Sequence, residues 1–491
     1  MSVVIAIDAG TTGVRAFAVD ERGQPAGWSY REFPQYFPRP GWVEHDANEI
    51  WGAVQEVLGE LVGHLDQPVA AIGITDQRET VVAWSRRTGE PLHRAIVWQD
   101  RRTAARCDEL RAAGHQPVVR DRTGLVLDPY FSGSKIEWLL TEGGVPTGAD
   151  LAVGTIDAWL MSKLTNGAVH ATEVSNASRT MLLDIRSLTW SDELCGLFGV
   201  PINALPEVRP SSGRFGVVEC GVQGLDGVPI AGVAGDQQAA LFGQACVSPG
   251  MTKNTYGTGS FVLMNVGDVC PPPVEGLLTT VAWQLSDGGP AAYAYEGAIF
   301  VTGAAIQWLR DGLGMIKEAA EIGPLAATID DTEGVFVVPA FTGLGSPYWD
   351  PYARGTIVGI TRGTSKAHLA RAIVEAMAYQ TRDVVEAMCK ASGREVQTLR
   401  ADGGASVMDL LLQLQADQLQ VPVARPVVQQ TTALGAAYLA GLAEGVWGSL
   451  DDLTAYWQLD AEFTPAVPAG VADARYAQWQ RAVERSRGWE R

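Results

Sequence analysis

Two short runs of one kind, half a chain apart, restrict what this sequence can fold into. The first is Asp8-Ala9-Gly10-Thr11-Thr12-Gly13-Val14-Arg15, set between the apolar stretches Val3 to Ile7 and Ala16 to Val19. The second is Asn254-Thr255-Tyr256-Gly257-Thr258-Gly259-Ser260, followed by the apolar Phe261 to Met264. Each reads as a β-hairpin turned on glycine and threonine. Glycine lets the backbone approach a ligand, and threonine adds hydroxyls to a row of N–H donors, so such a turn can cradle phosphate oxygens. An ordinary tight turn is the other reading of either run alone. The pair points to a duplicated domain with a nucleotide in the cleft between the copies. Asp8, at a strand end, is placed to hold Mg²⁺ directly or through its water.

A chain of 491 residues has the length of two or three domains, with material for large cores. Its formal net charge of −19 argues against a nucleic-acid surface or an anionic membrane, because few cations are available to replace counterions. A polyanionic substrate therefore calls for local donors and a metal. The cysteines, at 107, 195, 220, 246, 270 and 389, lie far apart with no CxxC pair, which reads as free thiols in a reducing compartment. The N-terminus enters a strand at once and no apolar run reaches membrane-spanning length, so a cytoplasmic location is expected.

Along the chain, Asp46 with Glu49 three residues on reads as a capping box, opening a helix with Ile50, Val54, Val57, Leu58 and Leu61 at helical spacing. His45 reads as a structural hydrogen-bonder. The apolar strand Val69 to Thr75 delivers Asp76-Gln77-Arg78-Glu79-Thr80 at its carboxyl end, where ligands gather in α/β sheets. Arg78 and Glu79 together can donate to and accept from neighbouring hydroxyls, which suits a polyol, though a solvated surface turn fits the same residues. Trp98 is either core or the wall of a small carbon skeleton, and the stretch from it to Arg102 begins a helix. Tyr130 stands at a loop-to-helix junction. Asp236, where the strand Ile230 to Ala234 meets a helix, is either a plain N-cap or a catalytic carboxylate. A domain boundary is expected near Pro249-Gly250. Beyond it come a helix from Gly303 carrying Gln307 and a helix from His368 to Ser392 stopped by Gly393. A second glycine pair, Gly403-Gly404, runs into a helix that Ser406 and Asp409 would cap.

Trp42-Val43-Glu44-His45-Asp46, Gln77-Arg78-Glu79-Thr80, Tyr130-Phe131-Ser132-Gly133, the run Ala234 to Gln244, Asn254 to Gly259 and Ser346 to Gly355 together resemble the FGGY carbohydrate kinases, from the first strand to the last helix. The resemblance implies an α/β fold of two actin-like, ribonuclease-H-like ATPase domains with a nucleotide cleft between them. The N-terminal domain would be residues 1–248, for polyol and phosphates, and the C-terminal domain residues 249–491, for the nucleotide. It implies transfer of a phosphoryl group from MgATP to a terminal hydroxyl of glycerol, in a homodimer or homotetramer. Arg78, Glu79, Tyr130, Asp236 and Gln237 are then expected on the polyol, with Trp98 and Phe261 walling its carbons and Asp236 taking the proton. Thr11, Thr12, Arg15 and Thr258 are expected at the phosphates, Asp8 at Mg²⁺, and Gly303, Gln307 and Gly404 along the nucleotide.

The chain departs from that pattern at three places. Gly13 and Val14 replace two serines in the first hairpin, Asp76 stands where Asn is usual and adds a possible negative charge, and Met408 replaces an Asn near the base. A kinase for erythritol, xylulose or another sugar is the nearest alternative, and an actin-like ATPase without a polyol is the more distant one.

Overall fold

The computed structural model describes residues 2–490. In the first lobe β1 (Val3–Ala9), β2 (Gly13–Asp20) and β3 (Pro25–Glu32) form an antiparallel meander. Helix α1 (Ala47–His64) leads to β4 (Val69–Asp76), which lies parallel to β1. With β5 (Ser212–Val217) and β6 (Pro229–Gly235) the sheet reads β5-β6-β4-β1-β2-β3, and β6 runs directly into helix α2 (Asp236–Gly243). α1 forms where the apolar spacing predicts it, burying Ile50, Val54, Val57, Leu58 and Leu61 against the sheet. Asp46 is its N-cap, accepting from Asn48 N at 2.9 Å, but there is no capping box: Glu49 accepts instead from Tyr36 Oη at 2.8 Å.

The second lobe repeats the plan. β7 (Thr252–Tyr256), β8 (Ser260–Gly267), β9 (Leu278–Gln284), β10 (Ala291–Ile299), β11 (Leu399–Asp402), β12 (Val423–Pro426) and β13 (Leu459–Phe463) form a sheet in the order β9-β10-β8-β7-β11-β12-β13. Its inner strands β10-β8-β7-β11-β12 match β3-β2-β1-β4-β6 of the first lobe, three antiparallel and then two added in parallel. This is the twofold actin-like α/β architecture. Helix α3 (Lys366–Ser392) ends at Gly393 in the left-handed conformation, φ 65°, as its sequence predicts.

The lobes share a core. Helix α4 (Thr431–Ala443) follows β12 in the second lobe, yet Ala433, Ala436, Ala437 and Ala440 pack with Val4, Ala6, Phe17, Ala71 and Ala231 of the first sheet. Two expected local structures differ. Trp98 to Arg102 is a loop, because Asp100 accepts from Val43 N and Arg102 N, and the helix starts at Ala104. Ser406 donates to Gly403 O within a 3₁₀ turn, and Asp409 pairs with Arg425, so no capping box forms there either. No helix among the described residues is long and apolar enough to cross a membrane.

Candidate active site

Strand ends of both lobes converge on one buried charge cluster. Arg78, just past the end of β4, is 2% exposed and uses every face of its guanidinium. Its Nε lies 3.0 Å from Asp236 Oδ1 as an ion pair, while Nη1 donates to Glu296 Oε2 at 2.5 Å and Nη2 to Glu296 Oε1 at 3.2 Å. Longer contacts of 3.3 Å reach Gln238 Oε1 and Tyr130 Oη. Arg179 closes the ring, donating to Glu79 Oε1 at 2.7 Å and Glu296 Oε1 at 2.9 Å. Two carboxylates alternating with two guanidinium groups satisfy the electrostatic demand that burial of each alone would leave unmet. Burial draws the Glu296 carboxyl upward, but Arg179 and Arg78 hold it below the usual carboxylate range. The surface-turn reading of Arg78 and Glu79 is thereby replaced by an interior one. Glu79 has a φ of 61°, a strained value for a non-glycine residue of the kind concentrated at functional sites.

Asp236 is the first residue of α2, with Gly235 as N-cap, and its side chain is 31% exposed. Its Oδ1 is taken by Arg78 and, at 2.7 Å, by Gln237 N. Oδ2 has no partner among the described residues, so one carboxylate oxygen is held and the other is available to a ligand. Trp98 stands edge-on to Tyr130 at 5.7 Å and to Phe261 of the second lobe at 6.4 Å, making an aromatic wall across the lobe boundary. Its Nε1 donates to Thr11 Oγ1 at 2.9 Å, tying this wall to the first hairpin.

The two hairpins share glycine–threonine turns but differ by one residue in turn length. Gly10 N donates to Gly13 O at 3.0 Å, and Gly257 N donates to Gly259 O at 2.8 Å. Behind the first, Gln77 Nε2 donates to Gly10 O at 3.0 Å, and buried His45 backs Gln77, its pKa lowered to about 4 by burial so that it stays neutral. Thr12 and Thr258 are exposed at the tips. The helix opening at Gly303 abuts the second hairpin so closely that a Cβ on Gly303 would lie 2.6 Å from Gly257 O. Gly403 has φ 87° and a Cβ there would meet Tyr256 O at 2.5 Å, whereas Gly404 faces open space. Arg15 lies beside Asp8 across the β1–β2 pair and reaches Gln430 at the start of α4.

Sequence models of the two domains of one kinase family match most of the chain: the FGGY family of carbohydrate kinases, N-terminal domain, at residues 3–243 and its C-terminal domain at residues 252–444. The chain belongs to the FGGY family of carbohydrate kinases. Among curated relatives, it is 54% identical over 497 residues to the glycerol kinase of Deinococcus radiodurans, covering 99% of this chain and 98% of that one. It is 53% identical over 498 residues to glycerol kinase 2 of Thermotoga maritima, covering all of both. The crystal structure of Plasmodium falciparum glycerol kinase with ADP superposes with a TM-score of 0.92 at 34% identity, over 99% of this chain and 98% of the other. A ligand-bound xylulose kinase from Lactobacillus acidophilus shares the fold at a TM-score of 0.89 and 22% identity.

In this FGGY kinase Arg78, Glu79, Trp98, Tyr130, Asp236, Gln237 and Phe261 do come together, Asp8 pairs with Arg15 across β1 and β2, and Thr11 joins the aromatic wall through Trp98. Three members of the cluster escaped the sequence reading: Arg179, Glu296 and Lys253, whose Nζ donates to Gln237 Oε1 at 2.6 Å. Glu296 did carry a signal, a lone acid in the otherwise apolar run Ala291 to Ile299, a residue type almost never fully buried unless paired. Asp76 is completely buried beside the cluster. Burial, and Asp157 nearby, push its carboxyl well above the ordinary range, and Asn176 Nδ2 donates to it at 2.9 Å.

Proposed function

We propose that this chain is an ATP-dependent glycerol kinase, passing the γ-phosphoryl group of MgATP to a terminal hydroxyl of glycerol to give glycerol 3-phosphate and ADP. The observation that carries the reading is the Asp236 carboxylate, one oxygen engaged by Arg78 and by Gln237 N and the other without a partner among the described residues, on the same Arg78 that touches Glu79 and Tyr130. Full-length relatives named glycerol kinase support the choice of polyol. An aromatic wall from Trp98 and Phe261 supports a short carbon skeleton, because a longer sugar needs room that these rings occupy.

Asp236 receives the hydroxyl proton. Full deprotonation of an alcohol by an ordinary carboxylate would cost roughly 15 kcal/mol, so the proton leaves late, as a loose phosphoryl-transfer transition state allows. Arg78 then acts by orientation: its ion pair with Asp236 and its bonds to Glu296 hold the carboxylate in line for the reaction. Thr11, Thr12, Arg15 and Thr258 hold phosphates from the two sides of the cleft, and Gly303, Gln307 and Gly404 line the rest of the nucleotide. Mg²⁺ suits Asp8, a hard oxygen donor with no cation in ion-pair distance among the described residues. Asp8 would hold the ion directly or through water, with substrate phosphates and water supplying its other ligands. When bound, the ion neutralises developing charge on the phosphoryl oxygens. The lobes divide at residues 248 and 249, and the enzyme works in the cytoplasm as a homodimer or homotetramer.

A coupled assay of ADP release with glycerol, erythritol, xylulose and no acceptor tests the reading. Glycerol is expected to be turned over fastest and the acceptor-free rate to be a small fraction of it. Asp236→Asn should keep the fold and lower kcat at least about 100-fold, within the usual span for a general base. Near-normal turnover in that variant, or ATP consumption independent of acceptor, would sink the proposal.

A further inference from the structure

Lys253 lies in β7 of the second lobe and is completely buried. No carboxylate is within ion-pair distance of it among the described residues. Its ammonium is instead enclosed by three neutral oxygens: Gln237 Oε1 at 2.6 Å, Thr255 Oγ1 at 2.8 Å and Phe261 O at 3.3 Å. Gln237 belongs to α2 of the first lobe, next to Asp236, so the shortest of these bonds crosses between lobes. An ammonium only donates, which settles which end of the Gln237 amide faces it. The oxygen points at Lys253, and the amide NH₂ has no partner among the described residues.

We propose that Lys253 is a positioning residue of the polyol site: it locks Gln237 as a pure donor toward the pocket, next to the pure acceptor Asp236. The inference rests on the polyol-kinase reading and deepens it. An alcohol oxygen both donates and accepts, so consecutive residues presenting one acceptor and one donor read it completely. With the amide flipped, two acceptors would confront the same hydroxyl and one would go unmatched. Lys253 also makes the orientation of Gln237 depend on the lobes being together, because the lock and the residue locked come from different lobes.

The lock titrates. Burial brings the Lys253 ammonium down to about 8, while Asp402, Asp236 and Glu296 around it favour the charged form and Arg78 opposes it. Loss of a proton leaves two N–H donors for three acceptors, and the charge-assisted bond to Gln237 is weakened.

The test is a double-mutant cycle of Lys253→Met and Gln237→Ala, read as kcat and as KM for glycerol and for MgATP across pH. Lys253→Met should raise the glycerol KM at least about tenfold and leave the MgATP KM within about twofold. In the Gln237→Ala background it should change the glycerol KM less than about twofold. The alkaline fall of kcat/KM for glycerol near pH 8 should vanish in both single variants. Equal effects of Lys253→Met in the two backgrounds, or an alkaline limb that survives in Gln237→Ala, would overturn the proposal. The pH profiles of wild type and Gln237→Ala decide it even if the Lys253 variant fails to fold. Should the wild type prefer erythritol or xylulose, the glycerol assignment fails while the same cycle is read on that polyol. A wild type that phosphorylates none of them overturns both.

Discussion

At Gly13 a difference that looked like a loss in the sequence has a reason in the packing. A Cβ there would stand 2.5 Å from Arg31 O and 2.6 Å from Tyr30 Oη, so the space for a serine side chain is already filled by the neighbouring strand. Tyr30 pairs directly with Arg15, whose guanidinium carbon lies 5.5 Å from its ring centroid, on the face of the sheet that also carries Asp8. Asp8 provides the residue-scale test. Desolvation lifts its carboxyl to about 6, against the pull of Arg15 and with a push from Asp236. The carboxylate that a cation needs is therefore lost as pH falls through about 6. KM for MgATP should rise as pH is lowered from about 7 to about 5, and Asp8→Asn should make it high and nearly pH-independent; a wild-type KM flat over that interval would separate Asp8 from the metal. For stability the sign is opposite. A raised carboxyl contributes stability fully below its unfolded value near 3.9, and that contribution is lost as pH rises through about 6. Residue types and their strand-end positions made Asp8, Arg78, Glu79 and Asp236 legible in the sequence. Arg179 and Lys253 were not, since nothing local distinguishes a buried cation from a surface one until its acceptors from distant segments are in place.

Elements were legible where their own periodicity decides them. α1 and α3 begin and end within a few residues of where apolar spacing and Gly393 put them. Caps were less so: Glu49 and Asp409 are drawn to the distant Tyr36 and Arg425, and Ser406 turns back onto Gly403 O within its own 3₁₀ turn, so in each case another partner outcompetes the cap. The small-residue run from Ala433 to Gly441 announced close packing but not its partner. That partner is α2 and the first sheet. A Cβ on Gly435 would lie 1.9 Å from Ala239 O, one on Gly243 2.0 Å from Thr431 O, and one on Gly73 2.2 Å from Ala436 O. These are backbone oxygens that cannot swing aside, so the crossing of α2 and α4 must widen to admit a methyl. Overpacking of this kind costs roughly 1–3 kcal/mol. Gly435→Ala should lower the thermal midpoint, and because α2 begins with Asp236, kcat should fall more than either KM. A variant with unchanged midpoint and kcat would mean that the crossing yields freely.

On the scale of the whole molecule the duplication was visible in two hairpins, but the dependence of each lobe on the other was not, because it lies in contacts between residues hundreds of positions apart. Glu296 of the second lobe neutralises Arg78 and Arg179 of the first, and α4 covers the first sheet. Cutting the chain between residues 248 and 249 therefore does more than open a cleft. The first fragment keeps Val4, Ala6, Phe17, Ala71 and Ala231 as an uncovered apolar face, and it keeps two buried guanidinium groups with one of their carboxylates removed. Removing one partner of a buried ion pair costs about 3–5 kcal/mol, comparable with the whole net stability of a domain. Residues 1–248 expressed alone should thus aggregate or remain unfolded, whereas co-expression with 249–491 should return a soluble complex in which the fragments copurify. Because Asp236 and its orienting arginine sit on one fragment and Glu296 and Lys253 on the other, glycerol-dependent ADP release should reappear only in that complex. A first fragment that is monomeric, cooperatively folded and soluble without its partner would show that the lobes are joined by the cleft alone, and that the shared core contributes little to either.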